Sequence, residues 1–434
     1  QLDLTYSDTL PEPDAQTNSP YESHVFAYGN RFEDAAVTKG LEIPTNSGKD
    51  SSGAYEVNQY KTQFTVDLVD AQAGYSNFFG VQGNALMVFS DIMGNHRIQF
   101  GFELYRDLES SDLILGYDYL PNRTNLHLMV YNFPDQYVSG NYYYGKLWSF
   151  RKYGSVIGMD YPLSKYSRFE ASLNWLNIYQ QVTEYDLFDN TYTEIISDNA
   201  SYMLPEMKLS FDNVLYGSLY PIDGWRAELG LRASPYFENS ARQFVTLRAD
   251  LRRYFKFGRE YSIALRLSGG TSHGRTPEKF MAGGIANWLN YELDNNYINF
   301  LANYEDLYFS EYVLPVRGAP YFGYVGNHYT ALNAEFRFPF IEYLSMKWPI
   351  SLVLGNVRGE IFSDMVKTWD ESQLEDRTLS DALITNQGNT FWGAGYGMRM
   401  NLGIFVLRYD MAFDMSEAKL WDNRQHIWSL GLDF

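Results

Sequence analysis

Six histidines, His24, His96, His127, His273, His328 and His426, are the only imidazoles in the chain, and none sits four residues from another. That spacing is what places two zinc ligands on one helix face in metallopeptidases, and it is missing. The chain has no cysteine, which removes thiolate catalysis, disulfide scaffolds and Cys-held metal centres, and suits an exported protein. Neither a Gly-x-Ser-x-Gly elbow, a Walker loop nor a dinucleotide fingerprint occurs. A hydrolytic site built across strands from His127 and nearby Ser or Asp residues is the one enzymatic option left. The chain therefore reads as a non-enzyme, with no metal and no cofactor expected.

The remaining candidates are charges. Arg226, Arg232, Arg248, Arg252, Arg266, Arg337, Arg399 and Arg408 share one parity of their segments with Glu228, Asp250, Glu335 and Asp410. On the inside of a pore such a field sets ion selectivity; paired across strands, it simply keeps an interior hydrated. A net charge of −19 excludes a phosphate-binding surface, so no nucleic-acid partner is expected.

The elements that would place these charges are strands. Trp428, Leu430, Leu432 and Phe434 alternate with Ser429, Gly431 and Asp433; Phe405, Leu407, Tyr409, Met411 and Phe413 alternate with Arg408, Asp410 and Ala412. The same rule sets Trp392 to Met400 against Gly393, Gly395, Gly397 and Arg399, and Val245, Leu247, Ala249 and Leu251 against Arg248, Asp250 and Arg252. No run of apolar residues is long enough for a spanning helix, so the membrane solution open to the chain is a barrel, which hides its hydrophobicity by alternation. A soluble sandwich is the competing reading. Against it stand polar faces read as carrying opposite charges in register, and an aromatic content with 37 Tyr and 29 Phe. Aromatics such as Tyr142, Tyr143, Tyr144, Tyr321, Phe322 and Tyr324 are read as interfacial girdles.

Sixteen strands are predicted: 61–70, 80–90, 95–105, 111–120, 123–133, 149–161, 166–180, 205–216, 222–234, 243–255, 260–270, 328–339, 349–361, 390–402, 403–413 and 424–434. The fold class is all-β, a transmembrane antiparallel barrel. Short turns at 91–95, 121–122, 162–165, 217–221 and 258–260 fall on one side, and long loops at 134–148, 181–204, 271–327 and 362–389 on the other. That alternation suits periplasmic turns and external loops in the outer membrane of a Gram-negative-type bacterium, with lipid and lipopolysaccharide as surroundings. Asp364, Asp370, Glu371, Glu375, Asp376 and Asp381 are placed on an outer loop, either holding divalent cations shared with lipopolysaccharide or simply solvated. Residues 1–56, with Pro11, Pro13, Pro20 and Pro44, read as a partly disordered periplasmic tail or linker, and 57–434 as the barrel. The start at Gln1 shows no signal-peptide pattern, so any such peptide is expected to have been removed.

The most specific stretch runs from Pro277 to Phe340. It contains Phe280-Met281-Ala282-Gly283-Gly284, Val316-Arg317-Gly318, Gly326-Asn327 and Asn333-Ala334-Glu335-Phe336-Arg337-Phe338-Pro339. This resembles the bacterial surface-antigen superfamily of outer-membrane barrels, which includes barrel-assembly insertases and two-partner secretion transporters. The resemblance implies sixteen strands and an external loop folded back into the lumen before the twelfth. Arg317 would then sit inside the barrel and pair with Glu335, with Gly283, Gly284 and Gly318 permitting close backbone approach or positive φ. The chain departs from the pattern in the long aromatic spacer between Gly284 and Arg317, in Ala319 after Gly318, and in Gly355, read as standing where an acidic partner on strand thirteen is usual. It also leaves no room before residue 61 for the periplasmic repeats of insertases.

A further likeness is to the barrel domain behind TolB-like propellers, carried by Tyr60-Lys61, Ser90-Asp91-Ile92-Met93-Gly94-Asn95-His96, and Gly283-Gly284 with Asn287-Trp288. On that likeness, any propeller is absent from this chain or was removed. The ending Trp428, Leu430, Leu432 and Phe434 resembles the signal read by the barrel-assembly machinery. The expected function is the membrane component of a protein-translocation or envelope-assembly complex with an unidentified protein partner or client. A passive diffusion porin and a structural platform binding a partner through loops or tail are the alternatives.

Overall fold

The computed structural model describes residues 60–76, 80–105, 107–140, 144–186, 191–217, 219–236, 242–258, 260–291, 308–346, 352–370, 390–402, 406–416 and 423–431. Residues 1–59, which include the whole of the expected tail at 1–56, lie outside them. Thr62–Phe434 forms one compact unit.

The first half is a run of antiparallel hairpins: β1 (Phe64–Ser76), β2 (Gly80–Asp91), β3 (His96–Tyr105), β4 (Asp107–Tyr119), β5 (Asn125–Gly140), β6 (Tyr144–Pro162), β7 (Ser167–Asp186) and β8 (Thr191–Asp212). A two-residue β9 (Leu215–Tyr216) precedes β10 (Pro221–Ser234), β11 (Phe244–Phe257) and β12 (Tyr261–Gly274). Three short strands follow, β13 (Lys279–Ala282), β14 (Ser310–Val313) and β15 (Tyr324–Gly326), before β16 (His328–Met346), β17 (Leu352–Trp369), β18 (Thr390–Asn401), β19 (Val406–Asp414) and β20 (Arg424–Leu430). The large sheet has 17 strands, each long one paired with its sequence neighbours; without the two-residue β9 it has sixteen. The all-β barrel reading holds, and β13, β14 and β15 make a separate three-stranded sheet.

Alternation explains the walls. Along β11, Val245, Leu247, Leu251 and Phe255 are exposed outward, while Thr246 is buried on the other face. Along β16, Leu332 is exposed while Asn333, Glu335 and Arg337 have at most 2% of their surface accessible. Period-two placement of apolar side chains thus gives an outer apolar belt and a polar inner wall.

Two sequence expectations need correction. Segments read as the outer loops 134–148 and 181–204 are mostly strand, because β5–β8 pair far beyond the expected ends, with ladders from Asn125↔Asp160 to Gly140↔Gly145 and from Ser167↔Phe211 to Asp186↔Thr191. β8 alone is 22 residues, against the roughly 9–11 needed to cross a membrane. Thr193, Glu194, Ile195, Ser197, Asp198 and Asn199 are exposed, and buried positions resume at Ala200, Tyr202 and Leu204. Above the apolar belt the ladder continues in solvent, where nothing selects alternation, so hydropathy ends the strand too early.

The second correction concerns the charges. Directly opposite residues are mixed in sign: Arg226↔Asp212, Glu170↔Lys208 and Arg337↔Glu360 are opposite charges in register, whereas Arg226↔Arg252↔Arg266, Glu228↔Asp250 and Arg399↔Arg408 are alike. Where like charges face each other, compensation runs within a strand or diagonally, as where Asp250 accepts from both Arg252 and Arg266 at 2.7 Å. Diagonal spacing suits the long reach of arginine.

Candidate functional site

The site begins with the connection between β12 and β16. Its described parts fold back as a small sheet in which β13 pairs parallel with β14 and antiparallel with β15. Apolar residues fix it on the inner wall: Phe280, Ala282, Val313, Val316 and Ala319 pack with Tyr329, Ala331, Val366 and Phe391 of β16–β18. A second contact reaches β8 and β11, where Phe309 lies edge-on to Tyr202 at 4.8 Å and to Phe244 at 5.7 Å. Leu176, Ile178, Tyr202 and Leu204 of β7 and β8 are buried with it. The inner wall is therefore apolar in places, which the strict apolar-out rule did not anticipate.

Arg317 stands at the centre, 1% exposed. Its Nε donates to Asp364 Oδ2 at 2.7 Å, Nη1 to Glu360 Oε1 at 2.7 Å, and Nη2 to Glu335 Oε1 at 2.7 Å and Asp364 Oδ1 at 2.9 Å. The Arg317 backbone N–H also donates to Asp364 Oδ2 at 3.0 Å, and the guanidinium lies over the Phe362 ring at 3.8 Å. Burial alone would lower its pKa, but Asp364, Glu335 and Glu360 together hold it well above the ordinary arginine value. A planar fork with several fixed donors is the side chain that suits three converging carboxylates.

The cluster extends along the wall. Arg337 Nε donates to Glu335 Oε2 at 2.9 Å and Nη1 to the Pro221 carbonyl at 3.0 Å; Arg399 bridges Asp410 at 2.7 Å and Glu360. Asn333 Nδ2 donates to Asp364 Oδ1 at 2.8 Å and to the Pro315 carbonyl at 2.9 Å. Three arginines and four carboxylates are thus linked, all almost completely buried.

Asp364 and Glu360 are the residues that sequence reasoning missed. Asp364, expected on an outer loop either as a cation ligand or as a solvated acid, lies within β17, fully buried against Arg317. The acidic partners on the thirteenth long strand are therefore Glu360 and Asp364, not a residue at Gly355, which is paired with Tyr343. The signal was present in the period-two step from Glu360 through Phe362 to Asp364, which was cut at residue 361. Of the other acids in that group, Asp370 accepts from the Asn327 N–H at 3.0 Å, while Glu371, Glu375, Asp376 and Asp381 lie outside the described residues.

Other expected positions fall as follows. Gly283, Gly284 and Gly318 have φ of 129°, 85° and 92°, conformations open to glycine and strained for other residues. Gly393 makes room for the loop: a Cβ there would meet the Arg317 carbonyl oxygen at 2.1 Å. Arg232 pairs with Glu278 at 3.0 Å, Arg248 with Glu206 at 2.6 Å and with Glu311, and Arg226 with Asp212 at 2.8 Å. Burial pushes the Glu278 and Glu311 carboxyls of the loop above the usual range, against the pull of Arg232 and Arg248. Arg408 Nη2 donates to the Ala286 carbonyl at 2.8 Å and the Leu430 carbonyl at 3.0 Å. His127 is held between Asp118 at 2.8 Å and Asp160 at 3.1 Å, so both ring nitrogens face carboxylates rather than a serine. Tyr321 and Tyr324, read as girdle residues, belong to the loop: Tyr324 packs on Phe391 at 5.5 Å and Tyr321 on Trp288 at 5.4 Å. Trp428 faces outward on β20, whereas Leu432 and Phe434 lie outside the described residues.

Comparison with known proteins fits this architecture. The family model described as the Omp85 superfamily domain matches residues 119–434. No curated protein matches the chain. Among solved structures, BamA from Haemophilus ducreyi lacking POTRA domains 1-3 is similar, with a TM-score of 0.53 at 12% identity over 85% of this chain and 70% of that one. CdiB from Escherichia coli gives 0.47 at 12% identity, covering 88% and 64%, and CdiB from Acinetobacter baumannii gives 0.45 at 12%, covering 87% and 61%. On the family match, which spans well over half of its length, the chain belongs to the Omp85 superfamily, the outer-membrane β-barrels of protein translocation and membrane assembly.

Proposed function

We propose that the chain is a loop-plugged barrel acting as the membrane component of a protein-translocation or envelope-assembly complex. The observation that carries this reading is Arg317, held by Asp364, Glu360 and Glu335 on the inner wall with the β13–β15 sheet packed beside it. A desolvated cluster of this size is costly unless every partner is in place, so it favours one seating of the loop over many. In this reading Arg317, Gly318, Gly283 and Gly284 form the plug, Glu335 is its pairing carboxylate, and the remaining lumenal arginines and acids hold the wall around it. Trp428, Leu430, Leu432 and Phe434 serve as the ending read by the assembly machinery.

Depleting the protein in its host and quantifying the outer-membrane proteome tests the role. Broad loss of other barrels supports assembly; loss of one or a few exported proteins supports a dedicated translocon. An unchanged proteome sinks both. The solvent-exposed residues Thr193, Glu194, Ile195, Ser197, Asp198 and Asn199 of the long β7–β8 hairpin favour a second reading, a platform for a partner. Shortening that hairpin should then abolish co-purification of a detergent-stable complex while leaving the barrel folded.

A further inference from the structure

Among the described residues, β1 pairs with β2 and β20 with β19. The backbone groups of β20 on the side away from β19 belong to His426, Trp428 and Leu430, and they are engaged by the lumenal loop. Trp288 forms an antiparallel bridge with Ser429. The Leu289 N–H donates to the Trp428 carbonyl at 2.7 Å, and the Leu430 N–H to the Asn287 carbonyl at 3.3 Å.

Two asparagine side chains continue the ladder where the backbone turns away. Asn290 Oδ1 accepts from the Trp428 N–H at 2.8 Å while its Nδ2 donates to the His426 carbonyl at 2.7 Å. A carboxamide offering one acceptor and one donor side by side reproduces a peptide group of a neighbouring strand. At the other end Asn287 Nδ2 donates to the Leu430 carbonyl at 3.1 Å. Asn287 itself has φ of 55°, a left-handed conformation that asparagine tolerates better than most residues. Trp288 anchors the segment on Tyr321 and on the cluster of Ile285, Phe362, Ala412 and Ile427, and Arg408 ties Ala286 to Leu430. The segment is continuous with the Arg317 site, since Gly284 and Val316 exchange backbone hydrogen bonds at 3.1 and 2.8 Å.

We propose that Asn287–Asn290 is a built-in strap that imitates a strand and occupies the free edge of β20, so that strapping and pairing of β20 with β1 are mutually exclusive states of the barrel. One edge offers one set of donors and acceptors, and an unoccupied edge pairs readily with any extended chain. The inference does not depend on the translocation or assembly role, because it concerns only which segment holds the edge.

The chain lacks cysteine, so introduced pairs report without background. Leu289 and Trp428 both have exposed side chains and lie one position from the Trp288–Ser429 bridge, where Cα atoms of opposed residues are about 5.5 Å apart, within disulfide range. In full-length protein in native outer membranes, L289C/W428C should cross-link efficiently, whereas W428C paired with V66C, L68C or D70C on β1 should not. Adding Asn290→Asp, which sets an acceptor against the His426 carbonyl, should lower the first product and raise one of the β1 products by about tenfold. Leu289→Pro, which deletes the N–H given to Trp428 and alters no residue of β20, should raise the same β1 product. Efficient β1 cross-linking with the strap intact overturns the proposal, and so do unchanged yields in folded, heat-modifiable barrels of both strap variants.

Discussion

Arg317 directs four side-chain hydrogen bonds at three carboxylates from inside the barrel, which makes it the residue whose replacement is most informative. Arg317→Ala leaves Asp364 buried without its cation and Glu335 and Glu360 with only Arg337 and Arg399, a class of change that costs about 3–5 kcal/mol. Arg317→Lys keeps the charge but loses the fork and the stacking on Phe362, so it should recover only part of the loss. Limited proteolysis of the 275–327 region in outer-membrane vesicles checks this ordering, with cleavage fastest in the Ala variant, intermediate in Lys and slowest in wild type. Added salt should change wild-type cleavage little, because ions do not screen a buried cluster.

Glu278 makes a pH prediction at the same scale. Burial holds its folded pKa above the unfolded value of about 4.3. Its favourable contribution is therefore complete below the unfolded value and is lost as pH rises through the folded one. Glu278→Gln should melt higher than wild type at pH 8, and the difference should vanish near pH 4. A variant that melts lower at pH 8 would mean that the Arg232 pair outweighs burial.

At the scale of elements, the loop needs bare backbone on the wall it crosses. Gly393 is the clearest case, since a side chain there runs into the Arg317 carbonyl. Gly393→Val should accelerate loop cleavage about as much as Arg317→Ala while the barrel still forms. Gly101→Ala, whose Cβ would meet only Ile114 Cβ at 3.7 Å, should behave as wild type. The Gly393, Gly395 and Gly397 series was visible in the sequence as one face of a strand, but a strand pattern does not say what lies against it. The strand period itself was legible wherever one face meets an apolar phase. It failed at strand ends, where β5–β8 continue into water and where β17 runs on to Trp369, and that second failure hid Asp364. Cross-strand register was equally illegible, because diagonal pairing and direct pairing give the same alternation.

Across the whole molecule, sixteen long strands and their alternation were readable from one sequence because each is a local pattern, whereas an inward Arg-Gly loop was expected only from the family resemblance. The filling of the lumen was not, because it depends on contacts between segments far apart in sequence, such as Phe309 with Tyr202 and Phe244, or Asn287–Asn290 with β20. A barrel whose loop packs on β16–β18 through the Arg317 cluster and reaches β7, β8 and β11 through Phe309 should differ from a passive pore in one plain respect. Planar-bilayer recording on the purified full chain measures it most directly. Wild-type protein should stay closed apart from brief openings, and Arg317→Ala should conduct for long periods. Steady wild-type conductance indistinguishable from that of the variant would contradict the plugged-barrel account and favour a diffusion porin.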